Sequence, residues 1–139
     1  MTVSPAPPLA AETLSELTKS YLADGRPWVV AYSGGKDSTL VLQLVYQMLI
    51  NLGDDAVKPV HVVSSDTGVE PPNVAAHVEA VLTAIQEDAR QRSLPVVTQL
   101  VRPAPEETFW AKLIGRGYPP PTRWFRWCTT NMKIKPSKC

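Results

Sequence analysis

Cysteine is scarce in this 139-residue chain, which has only Cys128 and Cys139. Two thiols are too few for a disulfide framework, and both are expected to stay reduced. No apolar run is long enough to cross a bilayer, since Leu40–Leu52 is short and interrupted by glutamine. No basic stretch precedes an apolar one in Met1-Thr-Val-Ser-Pro-Ala-Pro-Pro-Leu9, so the N-terminus does not read as a secretory signal. These absences predict a cytoplasmic protein with no membrane partner. The two histidines, His61 and His77, have no cysteine or carboxylate at metal spacing and read as a strand-end and a helix-surface residue. There is no internal repeat.

Acid is missing from one whole stretch. Residues 1–107 carry all 13 acids and seven of the 14 bases, about −6. Residues 108–139 carry the other seven bases, Lys112, Arg116, Arg123, Arg126, Lys133, Lys135 and Lys138, and no acid, about +7. The same stretch holds Phe109, Trp110, Tyr118, Trp124, Phe125 and Trp127. That mixture suits an anionic, partly aromatic partner such as a nucleotide or nucleic acid. A basic surface whose aromatics pack on their own core is the alternative.

What is present is one domain with a 44% hydrophobic composition and a βα rhythm. Leu14, Leu17, Tyr21 and Leu22 recur at helical spacing and predict a helix over Glu12–Ala23. Trp28–Tyr32 is a continuous apolar run of the kind buried on both faces of a parallel sheet. A helix is expected from about Asp37 to Leu52, a strand at Val60–Ser64, a helix from about Asn73 to Arg92, and a third strand at Val96–Val101. Alternating strands and helices predict a three-layer, Rossmann-like parallel α/β fold. Beyond residue 101, Glu106–Ile114 suits a short helix, and the remainder has no regular period.

The first strand runs into Ser33-Gly-Gly-Lys-Asp-Ser38, followed by Thr39. Glycines at the end of a buried strand let the backbone approach a ligand, while the next helix presents unpaired amides and its positive dipole end. Ser33, Ser38 and Thr39 add hydroxyls, and Lys36 adds a charge suited to phosphate oxygens. The spacing fits neither Walker A nor the dinucleotide fingerprint. Gly34 and Gly35 in so tight a turn suit a compact anion such as pyrophosphate. Asp37 beside an anion is repulsive unless Mg²⁺ bridges it to phosphate, or unless Asp37 and Ser38 simply cap their own helix.

Ser33–Ser38 resembles the SGGxDS signature of the PP-loop ATP pyrophosphatases, within the adenine nucleotide alpha hydrolase fold. Ser64-Ser-Asp-Thr-Gly68 is similar to a motif of the phosphoadenosine phosphosulfate (PAPS) reductase branch. The stretch from Phe109-Trp110 through Leu113-Ile-Gly-Arg-Gly-Tyr-Pro119 to Phe125-Arg-Trp-Cys-Thr129 resembles the DndC-type proteins of DNA phosphorothioation. The likeness runs from about Tyr21 to Ser137. It implies an ATP pyrophosphatase that activates the DNA backbone phosphate for sulfur incorporation, with ATP, Mg²⁺ and a [4Fe-4S] cluster as cofactors. DNA, a cysteine desulfurase and other phosphorothioation proteins are the implied partners.

Carried onto this sequence, Ser33, Gly34, Gly35, Lys36, Asp37, Ser38 and Thr39 hold ATP, and Asp66 contacts ribose or adenine, or holds a metal-bound water. A structural turn is the alternative for Asp66. Lys36, Asp37 and Arg126 are the implied catalytic residues, Arg123, Arg126 and Lys133 contact substrate phosphate, Asp37 holds Mg²⁺, and Cys128 ligates the cluster or handles sulfur. An ordinary reduced thiol is the alternative for Cys128. The implied organisation is a disordered segment 1–10, a nucleotide-binding core 11–101 and a basic aromatic segment 102–139 of the same domain. Two departures stand out. Thr130-Asn131 occupies the place of an acid followed by arginine, and the family's remaining cluster cysteines are expected beyond Cys139, as in an N-terminal portion. A sulfite-forming PAPS reductase is an alternative, although a C-terminal Glu-Cys-Gly motif is absent. A non-catalytic nucleotide- or DNA-binding module is another.

Overall fold

The computed structural model describes residues 8–136. In chain order it contains α1 (Pro8–Leu22), β1 (Trp28–Ala31), α2 (Lys36–Leu52), β2 (Val60–Ser65), α3 (Pro72–Gln91) and β3 (Val96–Val101). α1 begins earlier than its apolar periodicity indicated, so residues 8–10 of the segment expected to be disordered lie in a helix. Proline tolerates the first helical position because its missing N–H has no partner there anyway. The rest of that segment, 1–7, and Ser137, Lys138 and Cys139 lie outside the described residues.

The three strands are parallel in the order β1-β2-β3, with Trp28 opposite Val60 and Val60 opposite Val96. A sheet that grows in one direction through crossovers of one hand carries both crossover helices on one face. Burial agrees. Val30, Val60, Val62 and Val96 are buried, whereas Val29 is 70% exposed and Val97 42% exposed on the opposite face. The parallel sheet flanked by helices is the expected α/β arrangement, compatible with a Rossmann-like fold: α2 and α3 pack on one face and α1 against α2, while the other face is half-buried at His61 and Val63 and exposed at Val29 and Val97. An unbroken apolar run in β1 had suggested burial on both sides. It reports composition, not which neighbours cover the strand.

The covered face is close-packed. α2 contributes Leu42, Val45, Met48 and Leu49 at helical spacing, α3 contributes Val78, Leu82 and Ala89, and α1 contributes Tyr21. Complete burial of such side chains is worth roughly 1.5–3 kcal/mol each. α1 is tied to the start of β2 by Tyr21, whose hydroxyl donates to the Lys58 carbonyl at 2.6 Å and accepts the Lys58 amide at 2.8 Å. The buried Lys58 ammonium lies over the Tyr21 and Trp28 rings and pairs with Asp24 at 3.3 Å.

After β3 the chain makes a 3₁₀ turn at Pro105–Glu107 and a π-helical turn at Ala111–Gly115 in place of one helix over Glu106–Ile114. Thr108 separates them because its backbone is extended (ψ 157°) and its hydroxyl accepts the Ala111 amide at 3.4 Å. A final short turn, Trp127–Thr129, runs into a second π-helical turn, Thr130–Ile134.

A candidate anion-binding site at the strand ends

β1 does not stop abruptly. The Tyr32 amide still donates to the Val63 carbonyl at 2.8 Å, so the loop leaves the sheet beside the end of β2. The chain then turns at Gly34, whose φ of +79° is accessible to glycine at little cost. A β-carbon at Gly34 would also lie 2.8 Å from Val78 Cγ2. The loop is thus pressed against α3, and both backbone angle and space require glycine there.

Hydroxyls brace this turn. Ser38 Oγ donates to the Gly35 carbonyl at 3.0 Å and accepts the Ser33 amide at 3.3 Å, and the two serine hydroxyls are 3.0 Å apart. Thr39 Oγ1 donates to the same Gly35 carbonyl at 2.7 Å. α2 begins at Gly35, which stands at its N-cap with no side-chain capping hydrogen bond. Helix capping by Asp37 or Ser38, one reading of these residues, is therefore not observed. The first-turn amides face outward with the positive end of a 17-residue helix behind them.

A cavity of about 650 Å³ opens beside this turn at the C-terminal ends of β1 and β2. That size lies within the roughly 300–1,000 Å³ of small-molecule sites. Ser33, Ser38, Ser64, Asp66 and Lys133 supply polar groups to its lining, and Val74 and Val78 of α3 supply apolar ones. The fold thus brings Ser33, Ser38, Asp66 and Lys133 to one space, across about 100 residues of sequence. Lys36 and Asp37 are exposed in the first turn of α2, beside the cavity and not in its wall. Arg123 and Arg126 are exposed and do not line it, nor does Thr39.

Asp66 is already engaged. One carboxylate oxygen accepts the Gly68 amide at 3.0 Å, and the other accepts Arg102 Nε at 2.8 Å. Arg102 also pairs with Glu79 of α3 at 3.1 Å. The Arg102 hydrogen bond, aided by the Gly68 amide and opposed by partial burial, holds the Asp66 carboxyl below its ordinary range. Arg102 was not singled out by sequence. A signal existed, because Ser65 pairs with Val101 across β2 and β3, so the next residue of each strand falls side by side. Tyr32 also escaped notice. It lines the cavity, and its buried hydroxyl has no hydrogen-bond partner among the described residues.

Two cofactor expectations meet different donor sets. Asp37 is one exposed carboxylate beside the turn, which fits Mg²⁺ of the kind held by one or two carboxylates plus substrate phosphates. A four-cysteine cluster does not fit the described residues. Cys128 is half-buried and free, and no group of three or more histidine, cysteine or acidic side chains converges on a metal position among them.

Among the described residues, no helix is long and apolar enough to cross a membrane. No family model matches the chain. Over 113 residues, 81% of this chain, it is 31% identical to the uncharacterized protein MJ0066 of Methanocaldococcus jannaschii. The match covers 19% of that protein, so this chain spans about a fifth of the length of the relative it resembles.

Proposed function

We propose that this chain is a PP-loop ATP pyrophosphatase, binding the polyphosphate of ATP on the Ser33–Ser38 turn and cleaving it between the α- and β-phosphates. The acceptor is an oxyanion, the phosphate of a DNA backbone, which is adenylated so that sulfur can replace a non-bridging oxygen. One observation carries the reading: α2 starts without a side-chain cap, behind a glycine turn, at the rim of a nucleotide-sized cavity. Open parallel sheets bind ligands outside the C-terminal ends of their strands, where this cavity lies.

In this reading the acceptor oxygen attacks the α-phosphorus, the bond to the α,β-bridging oxygen breaks, and pyrophosphate leaves with the electron pair. Negative charge grows on the leaving group. The amides of the α2 first turn and the Lys36 ammonium lie at the turn where that charge develops and favour the transition state over the ground state, while the Ser33 and Ser38 hydroxyls brace the turn. Lys133, in the lining of the same cavity, serves the α-phosphate. When bound at Asp37, Mg²⁺ would neutralise charge on the phosphate oxygens. Val74 and Val78 give an adenine ring an apolar wall, while Asp66 acts through its ion pair with Arg102, fixing the ends of β2 and β3. No side-chain nucleophile is required. Sulfur then arrives as a persulfide on a cysteine desulfurase partner. Its outer sulfur bonds to the activated phosphorus as AMP departs, and a thiol reductant cleaves the remaining S–S bond, supplying the two electrons that leave sulfur on the phosphate.

Products of α-labelled ATP test this. AMP and pyrophosphate are expected, and Lys36→Ala is expected to lower their rate about 10²–10³-fold, the usual cost of removing one fixed donor to a developing anion. ADP and orthophosphate as products, or an unaffected Lys36→Ala variant, would rule it out.

A further inference from the structure

The acid-free segment sorts its aromatic and basic residues into two sets. One set is internal. Phe109 stacks on Trp127 with centroids 5.4 Å apart and planes 20° off parallel, Tyr118 meets Trp127 edge-on, and Trp127 Nε1 donates to the Pro119 carbonyl at 3.1 Å. Glu107 pairs with the buried Lys112 at 2.9 Å and with Lys135 at 3.3 Å, and Lys112 lies over the Tyr118 ring. These residues make a small, satisfied satellite core.

The other set faces solvent. Trp124 is 93% exposed, Trp110 56% and Phe125 47%. Arg116, Arg123 and Arg126 are exposed, and none has an acidic partner among the described residues. Arg123 and Trp124 sit at the tip of a closed turn, in which the Thr122 amide donates to the Phe125 carbonyl at 3.2 Å and the Phe125 amide to Thr122 Oγ1 at 3.1 Å. Two residues further on, Trp127 anchors the turn to the satellite core. An indole this exposed on a braced turn, flanked by unpaired guanidinium groups, is not explained by the segment's own folding.

We propose that the Arg123–Arg126 turn is a stacking platform for an unpaired base of single-stranded DNA, with Arg123 and Arg126 on its phosphates. Aromatic faces take bases without regard to sequence, and guanidinium groups track the backbone between them. A duplex keeps its base faces stacked inside and offers Trp124 nothing to cover it. A lipid surface calls for an amphipathic helix with an apolar face, and the described part of this segment makes only short turns. The choice of DNA over RNA rests on the acceptor proposed above. The platform itself needs no nucleotide cleavage.

Fluorescence anisotropy with the full chain tests it, using labelled oligothymidylate, a mixed-sequence DNA duplex and oligouridylate. Tightest binding is expected for oligothymidylate, with affinity reduced roughly 5- to 100-fold by Trp124→Ala and largely kept by Trp124→Phe. Replacing Arg123 and Arg126 with glutamine should flatten the log–log salt slope by about 0.7 per lost phosphate contact. Trp124 is 93% exposed, so circular dichroism of the variant should match the parent. Equal or tighter duplex binding, tighter oligouridylate binding, or an unchanged Trp124→Ala variant would each overturn the proposal. ATP binding by the same preparation without DNA, and its loss in Lys36→Ala, reports separately on the nucleotide reading.

Discussion

Gly34 concentrates the case for a shaped anion site in one residue. Its φ of +79° alone costs an alanine about 1–2 kcal/mol, and the approach of Val78 adds a steric penalty. Gly34→Ala is therefore expected to destabilise the fold by at least that amount in urea denaturation and to weaken nucleotide binding. Adding Val78→Ala should relieve the steric share and leave the backbone share, which a double-mutant cycle resolves. Full additivity of the two changes would show that the loop does not press on α3. At the same scale, Ser38 is legible in sequence as a polar residue after a glycine turn. That its hydroxyl braces Ser33 and Gly35 instead of capping α2 is settled only by loop geometry.

At the scale of elements, the ends of β2 and β3 are latched by Asp66 and Arg102, with Glu79 joining α3 to the same guanidinium. A carboxylate held below its ordinary value of 3.8 stabilises the fold at pH above that value and loses the contribution as pH falls through its folded-state value. Asp66→Asn should therefore lower the melting temperature at pH 7, and the gap to the parent should close as pH drops below about 4. A gap that persists undiminished into strong acid would contradict the latch. This pair spans 36 residues of sequence, and only the strand register brings it together. The strands and helices up to Val101 were legible because their apolar spacing is local. The segment after β3 was not, because its order comes from side-chain contacts such as Trp127 on Phe109 that follow no period.

For the molecule as a whole, the sheet is covered on one side and its other side exposes Val29 and Val97. The expectation of three layers came from the alternation of strands and helices, and alternation does not say which face of the sheet each helix covers. The charge division was legible and takes on a spatial meaning. Lys133 reaches back from the basic segment to the cavity at the strand ends, while Arg123 and Trp124 face solvent elsewhere on that segment. The candidate site was thus visible as a contiguous motif, with Asp66 and Lys133 named through the resemblance, whereas the part that Tyr32, Val74 and Val78 play in its lining was not.

The most direct measurement is backbone amide chemical-shift mapping during titration with pyrophosphate and then ATP. The largest shifts should fall on Gly34, Gly35, Lys36, Asp37 and Ser38, with smaller ones along the Val74–Val78 wall only for ATP. Shifts centred on the basic segment, with the Ser33–Ser38 turn unmoved, would contradict the account.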